Sequence, residues 1–324
     1  MTRLSRFALS LAATASLAAF LAPVAFSWPG ANGAIVFETS IGGGGEERGR
    51  GTGIQIAPLG ADRSQITPLT TDPGDSDPQA SPDGRQVVFS RSSDPESFSS
   101  ETASTIYLIN ADGSGLRPLT DGLHTDREPA FSALGDRVYF TRLLANGVVH
   151  IFSVRLNGGG LLQITSGGGD EFHPRASARS GLLTFERRVV GPHSVRYHHV
   201  FVSRANGSRP RDLTPKLSNR FTAADPEFSP DGKRIAYSLG DRLVSVRVNG
   251  TKPRLLIPPR GGSSMTFADP TYAPDGRSLL FSIVSGRSSL HRIDLRRLRG
   301  LPNPLVEPHI SVSSPAWLVR PANG

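Results

Sequence analysis

The chain has 324 residues, 37% of them hydrophobic, enough to bury a sizeable core. It has no cysteine, which excludes disulfides, thiolate metal sites, a cysteine nucleophile and the lipidated cysteine of a lipoprotein. Its 35 glycines and 26 prolines suit a chain that reverses direction often, and the formal charge of +8 allows weak attraction to anionic partners.

Residues 1–27 read as a secretory signal: Arg3 and Arg6 form a basic start, Phe7 to Leu21 an apolar run, and Ala25 and Ser27 the small residues before a cut at Trp28. Fifteen apolar residues are short for a membrane span, and no second run of that length follows. The chain is therefore expected to be exported to a periplasmic or extracellular space. Residues 28–324 are expected to form one domain with no transmembrane span after signal removal, a monomer that does not bind nucleic acid.

After the signal, one fourteen-residue stretch recurs. Asp225 to Ser238 reads Asp-Pro-Glu-Phe-Ser-Pro-Asp-Gly-Lys-Arg-Ile-Ala-Tyr-Ser, and Asp77 to Ser90 and Asp269 to Ser282 repeat its grammar. The Pro-Asp-Gly core fits a tight turn, and the alternation after it fits a strand with one buried face. Aligned on the opening proline, the repeats fall at Pro78, Pro129, Pro174, Pro226, Pro270 and Pro315, at spacings of 51, 45, 52, 44 and 45 residues. Each second strand ends on an aromatic residue (Phe37, Phe89, Phe140, Phe185, Tyr237, Phe281), expected to fill the space between units. A third strand follows, then a turn such as Asn157-Gly158 or Asn206-Gly207, then a closing strand near Leu69-Thr70, Leu119-Thr120, Ile164-Thr165, Leu213-Thr214, Leu256-Ile257 and Leu305-Val306.

Such a period, with four short strands per unit, predicts an all-β fold: a six-bladed β-propeller of four-stranded antiparallel blades. The stretch Asn32 to Phe37 is half a hairpin without a first strand, and Ser314 to Trp317 is a first strand without its second. The propeller is thus expected to close by pairing of the C-terminal strand into the N-terminal blade. The Pro-x-aromatic-Ser-Pro-Asp-Gly hairpin with its Leu-Thr closing strand resembles the TolB-like, WD-repeat-like propeller family over residues 32 to 319. Ser132-Ala133-Leu134-Gly135 and Ser177 to Gly181 read as decayed copies. The resemblance implies a periplasmic scaffold with envelope partners. The protein that gives the family its name carries an α/β domain before its propeller, for which no room is expected here between signal and first strand.

The loops before each proline and after each aromatic residue are expected on one face. The residues before the prolines are Asp77, Glu128, His173, Asp225, Asp269 and Ser314, which pseudo-sixfold placement would set around a channel mouth. They form a candidate site for a basic peptide segment or a cation such as calcium, although Asp before Pro also serves simply to start a strand. Arg91, Arg142 and Arg187 follow the aromatics by two residues on the same face, to pair with the acidic ring or to bind an anion. His193, His198 and His199, with His173, form a candidate metal cluster against the alternative of a solvated loop. Gly42 to Gly45 lacks the Lys-Ser/Thr of a phosphate loop, and no Gly-x-Ser-x-Gly occurs. The basic segment Arg292 to Arg299 reads as a charged edge strand, against the alternative of contact with an anionic envelope surface.

Two functions are expected from this pattern. The first is a non-catalytic scaffold binding a cell-envelope protein or peptide at the mouth, with no cofactor. The alternative is a metal-assisted lyase or hydrolase acting on a sugar or peptide there, with His173, Asp225 and Asp269 as ligand or acid–base candidates.

Overall fold

A computed structural model describes residues 31–41, 50–59, 63–97, 101–190, 196–215, 222–259, 265–285, 287–298, 305 and 311–320. The signal segment, the tetraglycine and His193 lie outside these residues. The described chain is almost wholly β, with one 3-10 turn at Arg63–Gln65, and none of its helices is long and apolar enough to cross a membrane.

The first unit comprises β1 (Ala31–Ile41), β2 (Arg50–Pro58) and β3 (Thr67–Pro68). The second comprises β4 (Asp75–Ala80), β5 (Gln86–Ser92), β6 (Ser104–Asn110) and β7 (Arg117–Pro118); the third, β8 (Thr125–Phe131), β9 (Arg137–Leu143), β10 (Val149–Arg155) and β11 (Leu162–Gln163). The fourth has β12 (Glu171–Ala176), β13 (Leu182–Val190), β14 (Arg196–Arg204) and β15 (Arg211–Asp212). The fifth has β16 (Ala223–Phe228), β17 (Arg234–Leu239), β18 (Leu243–Arg247) and β19 (Arg254–Ile257). The last strands are β20 (Thr266–Tyr272), β21 (Ser278–Ser285), β22 (Arg287–Asp294) and β23 (Ser311–Arg320).

Strands within a unit pair antiparallel, and β23 pairs with β1, giving a sheet in the order β23-β1-β2-β3. The second and third units, expected as separate sheets, share one, because a single parallel bridge joins Ser104 to Thr125. The cause is local: the buried Ser104 hydroxyl donates to the Asp126 carbonyl at 2.7 Å, and its N–H to that of His124 at 2.9 Å.

The repeated residues explain the repeated geometry. In Ser81-Pro82-Asp83-Gly84, the serine hydroxyl donates to Asp83 Oδ1 (2.6 Å), and the Gly84 N–H closes the turn on the Ser81 carbonyl (2.9 Å) at φ 71°. The decayed copy at Ser132 keeps this plan with the acid displaced: its hydroxyl donates to Asp136 at 2.7 Å, and the Gly135 N–H returns to the Ser132 carbonyl at 2.9 Å. The Leu-Thr ending also has a physical reason. Leu69 N–H donates to the Ile54 carbonyl (2.8 Å), and the Thr70 hydroxyl accepts the Ile54 N–H (3.0 Å). A side chain thus completes the ladder and lets the backbone leave the sheet after two residues. The same hydroxyl contact recurs at Thr120, Thr165 and Thr214. Of the closing pair in the sixth unit, Leu305 keeps the backbone contact, to the Leu290 carbonyl at 2.8 Å, while Val306 lies outside the described residues.

The second-strand aromatics are buried in all six units. Their clusters span neighbouring units: Val88, Ile106 and Leu108 pack with Phe131 and Phe140, and Val36 and Ile54 with Val87, Phe89, Ala316 and Leu318. The Gly84 turn abuts β23 so closely that a Cβ there would lie 1.9 Å from the Val319 carbonyl oxygen.

Candidate functional site

All six residues before the aligned prolines have left-handed backbone: Asp77 (φ 53°), Glu128 (54°), His173 (48°), Asp225 (53°), Asp269 (50°) and Ser314 (48°). Such values are uncommon outside glycine. Each residue and its proline form a two-residue bulge opposite one residue of the next strand. The register runs from Ser76↔Ser90 to Gln79↔Val88, leaving Asp77 and Pro78 facing Phe89, and the other five units repeat the shift opposite their own aromatics. The two residues aligned by sequence in each unit are thus cross-strand neighbours. Proline suits the bulge because its missing N–H leaves no ladder bond unmade.

The bulges bring all six residues to one cavity, whose wall also includes Gln79, Arg175, Glu227 and Thr271. The freed N–H groups are taken up by carboxylates of the preceding unit. His173 N–H donates to Glu128 (2.8 Å), Asp269 N–H to Asp225 (3.2 Å) and Ser314 N–H to Asp269 (3.1 Å). Two units lack a carboxylate before proline, and there the residue after the aromatic supplies it. Asp225 N–H donates to Glu186 at 2.7 Å, and the Asp77 N–H to Glu38.

Position by position, the substitution is reciprocal. Where the residue before proline is acidic, the residue after the aromatic is Ser or Thr, and Ser90, Thr141 and Ser238 donate to Asp77 (3.2 Å), Glu128 (3.4 Å) and Asp225 (3.1 Å). Where it is His173 or Ser314, the residue after the aromatic is Glu186 or Glu38. Across these two columns every unit therefore contributes one carboxylate, and of these Asp77, Glu128, Asp225 and Asp269 stand in the cavity wall together with Glu227. Sequence reasoning found the four acids before proline and missed Glu38 and Glu186. The signal was present one column away, in glutamates that occupy the post-aromatic position only in the two units without an acid before proline. In the sixth unit the corresponding Ser282 hydroxyl is buried with no hydrogen-bond partner among the described residues.

The electrostatics follow from crowding acids in a half-buried space. Burial, with Asp77 and Asp269 nearby, pushes the Glu38 carboxyl up to about 8. Burial and the neighbouring Asp225 push Asp269 up to about 7, and burial raises Glu128 and Asp225 as well. Burial would lower His173, but Glu128, Glu186 and Asp225 outweigh it and hold the imidazole well above its ordinary range. Its Nδ1 lies 2.7 Å from Glu186 Oε1, and its Nε2 3.4 Å from Glu128 Oε1. Glu186 in turn is held down at about 2, the charge and hydrogen bond of His173 and the hydrogen bonds from His198 and the Asp225 N–H overriding burial. His173, Glu186 and Asp225 each offer one ligand atom within 4.8 Å of the others, so a metal ion could be held there once His173 gave up its proton. Of the sequence-derived candidates His173, Asp225 and Asp269, the first two come together here, joined by Glu186.

The other expected members lie elsewhere. Arg91, Arg142 and Arg187 do form ion pairs, but with a second tier of buried acids and not with the residues before proline. Arg91 bonds Asp75 (2.6 and 2.8 Å), Arg142 bonds Asp126 (2.6 and 2.7 Å), and Arg187 bonds Glu171 (3.1 and 2.6 Å). Each pair is directly cross-strand, and each guanidinium also lies over its own unit's aromatic rings, as Arg91 does over Tyr107 at 4.7 Å. In the remaining units that register position is Thr39↔Val312, Ala223↔Leu239 and Phe267↔Ile283. Of the histidine cluster, His198 bonds Glu186 (2.7 Å) and stacks on Phe172, while His199 turns away to Asp212 (2.7 Å).

The recurrent hairpin and its bulge match the family model described as the TolB beta propeller domain over residues 76–257. The chain belongs to the TolB β-propeller family. A comparison with curated proteins finds no match. Among solved structures, the chain is similar to TolB from Acinetobacter baumannii (TM-score 0.67, 20% identity, covering 88% of this chain and 66% of that one). It is similar also to hydrazine synthase from Kuenenia stuttgartiensis (TM-score 0.69, 16% identity, 90% and 48% covered). A third similar structure is an oligogalacturonate lyase in complex with manganese (TM-score 0.52, 11% identity, 78% and 83% covered). At these identities the likeness is one of fold, and the chain spans two thirds or less of the first two proteins' lengths.

Proposed function

We propose that this TolB-family chain is an exported, non-catalytic scaffold, a six-bladed propeller closed by β23 on β1, that binds a basic segment of a cell-envelope protein or peptide at the carboxylate-lined cavity. The observation that carries the reading is the contribution of one carboxylate by every unit, kept even where the residue before proline is His or Ser. Asp before Pro is not required to supply that carboxylate, since Glu38 and Glu186 substitute from the post-aromatic position, where they also accept the next unit's bulge N–H. A cationic side chain entering the cavity would meet the Asp269 carboxyl, whose proton is held up to about 7, and its binding would favour release of that proton.

The test is calorimetry with an arginine-rich tripeptide at pH 7.5. Saturable binding weakened about tenfold or more by Asp77→Asn with Asp225→Asn is expected. No binding, or binding indifferent to both changes, overturns the reading. A second reading rests on the convergence of His173, Glu186 and Asp225, and a similar structure is a lyase in complex with manganese. Metal analysis of protein purified without chelator decides it: a stoichiometric divalent ion lost in Glu186→Gln would favour metal chemistry over peptide binding.

A further inference from the structure

A second cavity, of about 580 Å³, lies away from the carboxylates, beside the Asp-Gly turns of the fifth and sixth units. That volume is typical of a small-molecule site. Its wall holds Arg179, Arg234 and Arg254, with Leu256 and Tyr272 as buried floor, Leu295 half-buried against the core and Leu298 toward solvent. Leu295 and Leu298 come from the basic segment Arg292 to Arg299, so that stretch does more than charge an edge.

The cationic groups here are placed against one another. Arg234 of β17 stands directly opposite Arg247 of β18, and Arg254 of β19 is opposite Ser245 on the same strand as Arg247. Like charges facing across strands destabilise a sheet. Arg234 relieves part of this through Nε to Ser245 Oγ (2.7 Å) and a terminal nitrogen to the carbonyls of Ser245 (2.8 Å) and Lys252 (2.9 Å). Burial and the charges of Arg254 and Arg247 still lower its pKa. Among the described residues no carboxylate forms an ion pair with Arg234, Arg247 or Arg254. The acids in the wall are engaged: Asp231 accepts the Ser229 hydroxyl (2.6 Å) and Lys233 N–H (3.1 Å), and Asp275 accepts Arg277 N–H (2.9 Å).

The third unit provides an internal comparison. Arg137 faces Arg155 and donates in the same way to Ser153 and the Gly160 carbonyl, so the paired arginines have a shared structural part. Opposite Ser153, however, stands Leu162, where the fifth unit has Arg254. Arginine recurs at this position in the second and fourth units, as Arg117 and Arg211, but there the residue in the place of Arg234 is Gln86 or Leu182. Among the described residues the fifth unit alone places arginines at both positions beside a cavity.

We propose that this cavity binds an anionic amphiphile, its phosphate or carboxylate head held between Arg234 and Arg254 and its apolar body laid along Leu256, Leu295 and Leu298. The head supplies the missing counter-charge, and the body covers a leucine that is 45% exposed.

Calorimetry with monomeric dodecyl phosphate tests it, with inorganic phosphate and dodecyl maltoside as partial ligands. One molecule of dodecyl phosphate should bind per chain, with the affinity lowered about tenfold or more by Arg254→Glu and severalfold by Leu298→Asn, both exposed and tolerant sites. Each partial ligand should bind at least about tenfold more weakly. Asp225→Asn, remote from this cavity, should leave the affinity unchanged, which separates the proposal from the reading of the carboxylate site. Equal affinity in Arg254→Glu, or equally tight dodecyl maltoside, overturns the proposal. Co-sedimentation with phosphatidylglycerol vesicles that Arg254→Glu abolishes would identify a membrane as the source of the head group. Binding of the monomer without sedimentation would identify a soluble amphiphile.

Discussion

Oε1 of Glu186 accepts both Nδ1 of His173 and the backbone N–H of Asp225, each at 2.7 Å, so one oxygen ties a charged imidazole to the next unit's bulge. The folded His173 holds its proton more tightly than the unfolded chain does, so its contribution is complete below about pH 6.5 and is lost as pH rises through the folded value. Glu186 behaves oppositely, contributing fully above about pH 4.5 and losing that contribution as pH falls towards 2. Glu186→Gln should therefore lower the His173 pKa seen by proton NMR and cost about 2 kcal/mol in urea unfolding, the scale of a hydrogen bond to a charged group. An unchanged imidazole titration would show that Glu186 does not hold the proton.

Glu38, Asp269 and Glu227, the last raised to about 7 by burial, all bind protons more tightly when folded than unfolded. The folded state then carries more protons across the interval from about pH 4.5 to 8, and stability should fall as pH rises through it. Urea midpoints at pH 5 and pH 8 check this. Glu38→Gln with Asp269→Asn should flatten the slope. A wild-type midpoint that rises with pH would refute the assignment.

Arg142 and Asp126 are buried together, whereas the fifth unit places Leu239 and Ala223 at the same register. Arg142→Leu alone strands a buried carboxylate and should cost about 3–5 kcal/mol. Asp126→Ala with Arg142→Leu copies the fifth unit and should recover most of that loss. A double variant as unstable as the single one would mean that the pair is needed for more than mutual neutralisation.

The reciprocity between the two columns can be tested in the first unit. Ser314→Asp with Glu38→Ser gives that unit the arrangement of Asp225 and Ser238. Each single change should be more destabilising than the pair, with a coupling of about 1 kcal/mol or more in a double-mutant cycle. Additive effects would show that the two positions do not exchange one carboxylate.

The repeat, its turns and its aromatic column were legible because each depends on neighbours within a few residues: Ser81 with Asp83 and Gly84, Leu69 with Thr70. The bulge was not legible. A residue before proline is biased to extended backbone, and nothing in Asp77-Pro78 announces φ 53°. Once that bulge is known, Phe89 is the residue it faces and Ser90 the next neighbour, and the post-aromatic column becomes part of the site. The arginines were expected beyond the strand ends, but the second strands run past the aromatics to include them, and Arg142 reaches Asp126 because cross-strand register, not proximity to proline, selects its partner.

The pairing of β23 with β1 sets an order on biosynthesis. Ile35, Phe37, Val312 and Trp317 share one cluster, so β1 keeps an open edge and an unfilled apolar face until β23 has emerged. During that interval the amino-terminal unit is the part of the chain most open to mispairing. A premature stop anywhere before Ser311 would remove the strand that covers it, whatever the intervening units had achieved.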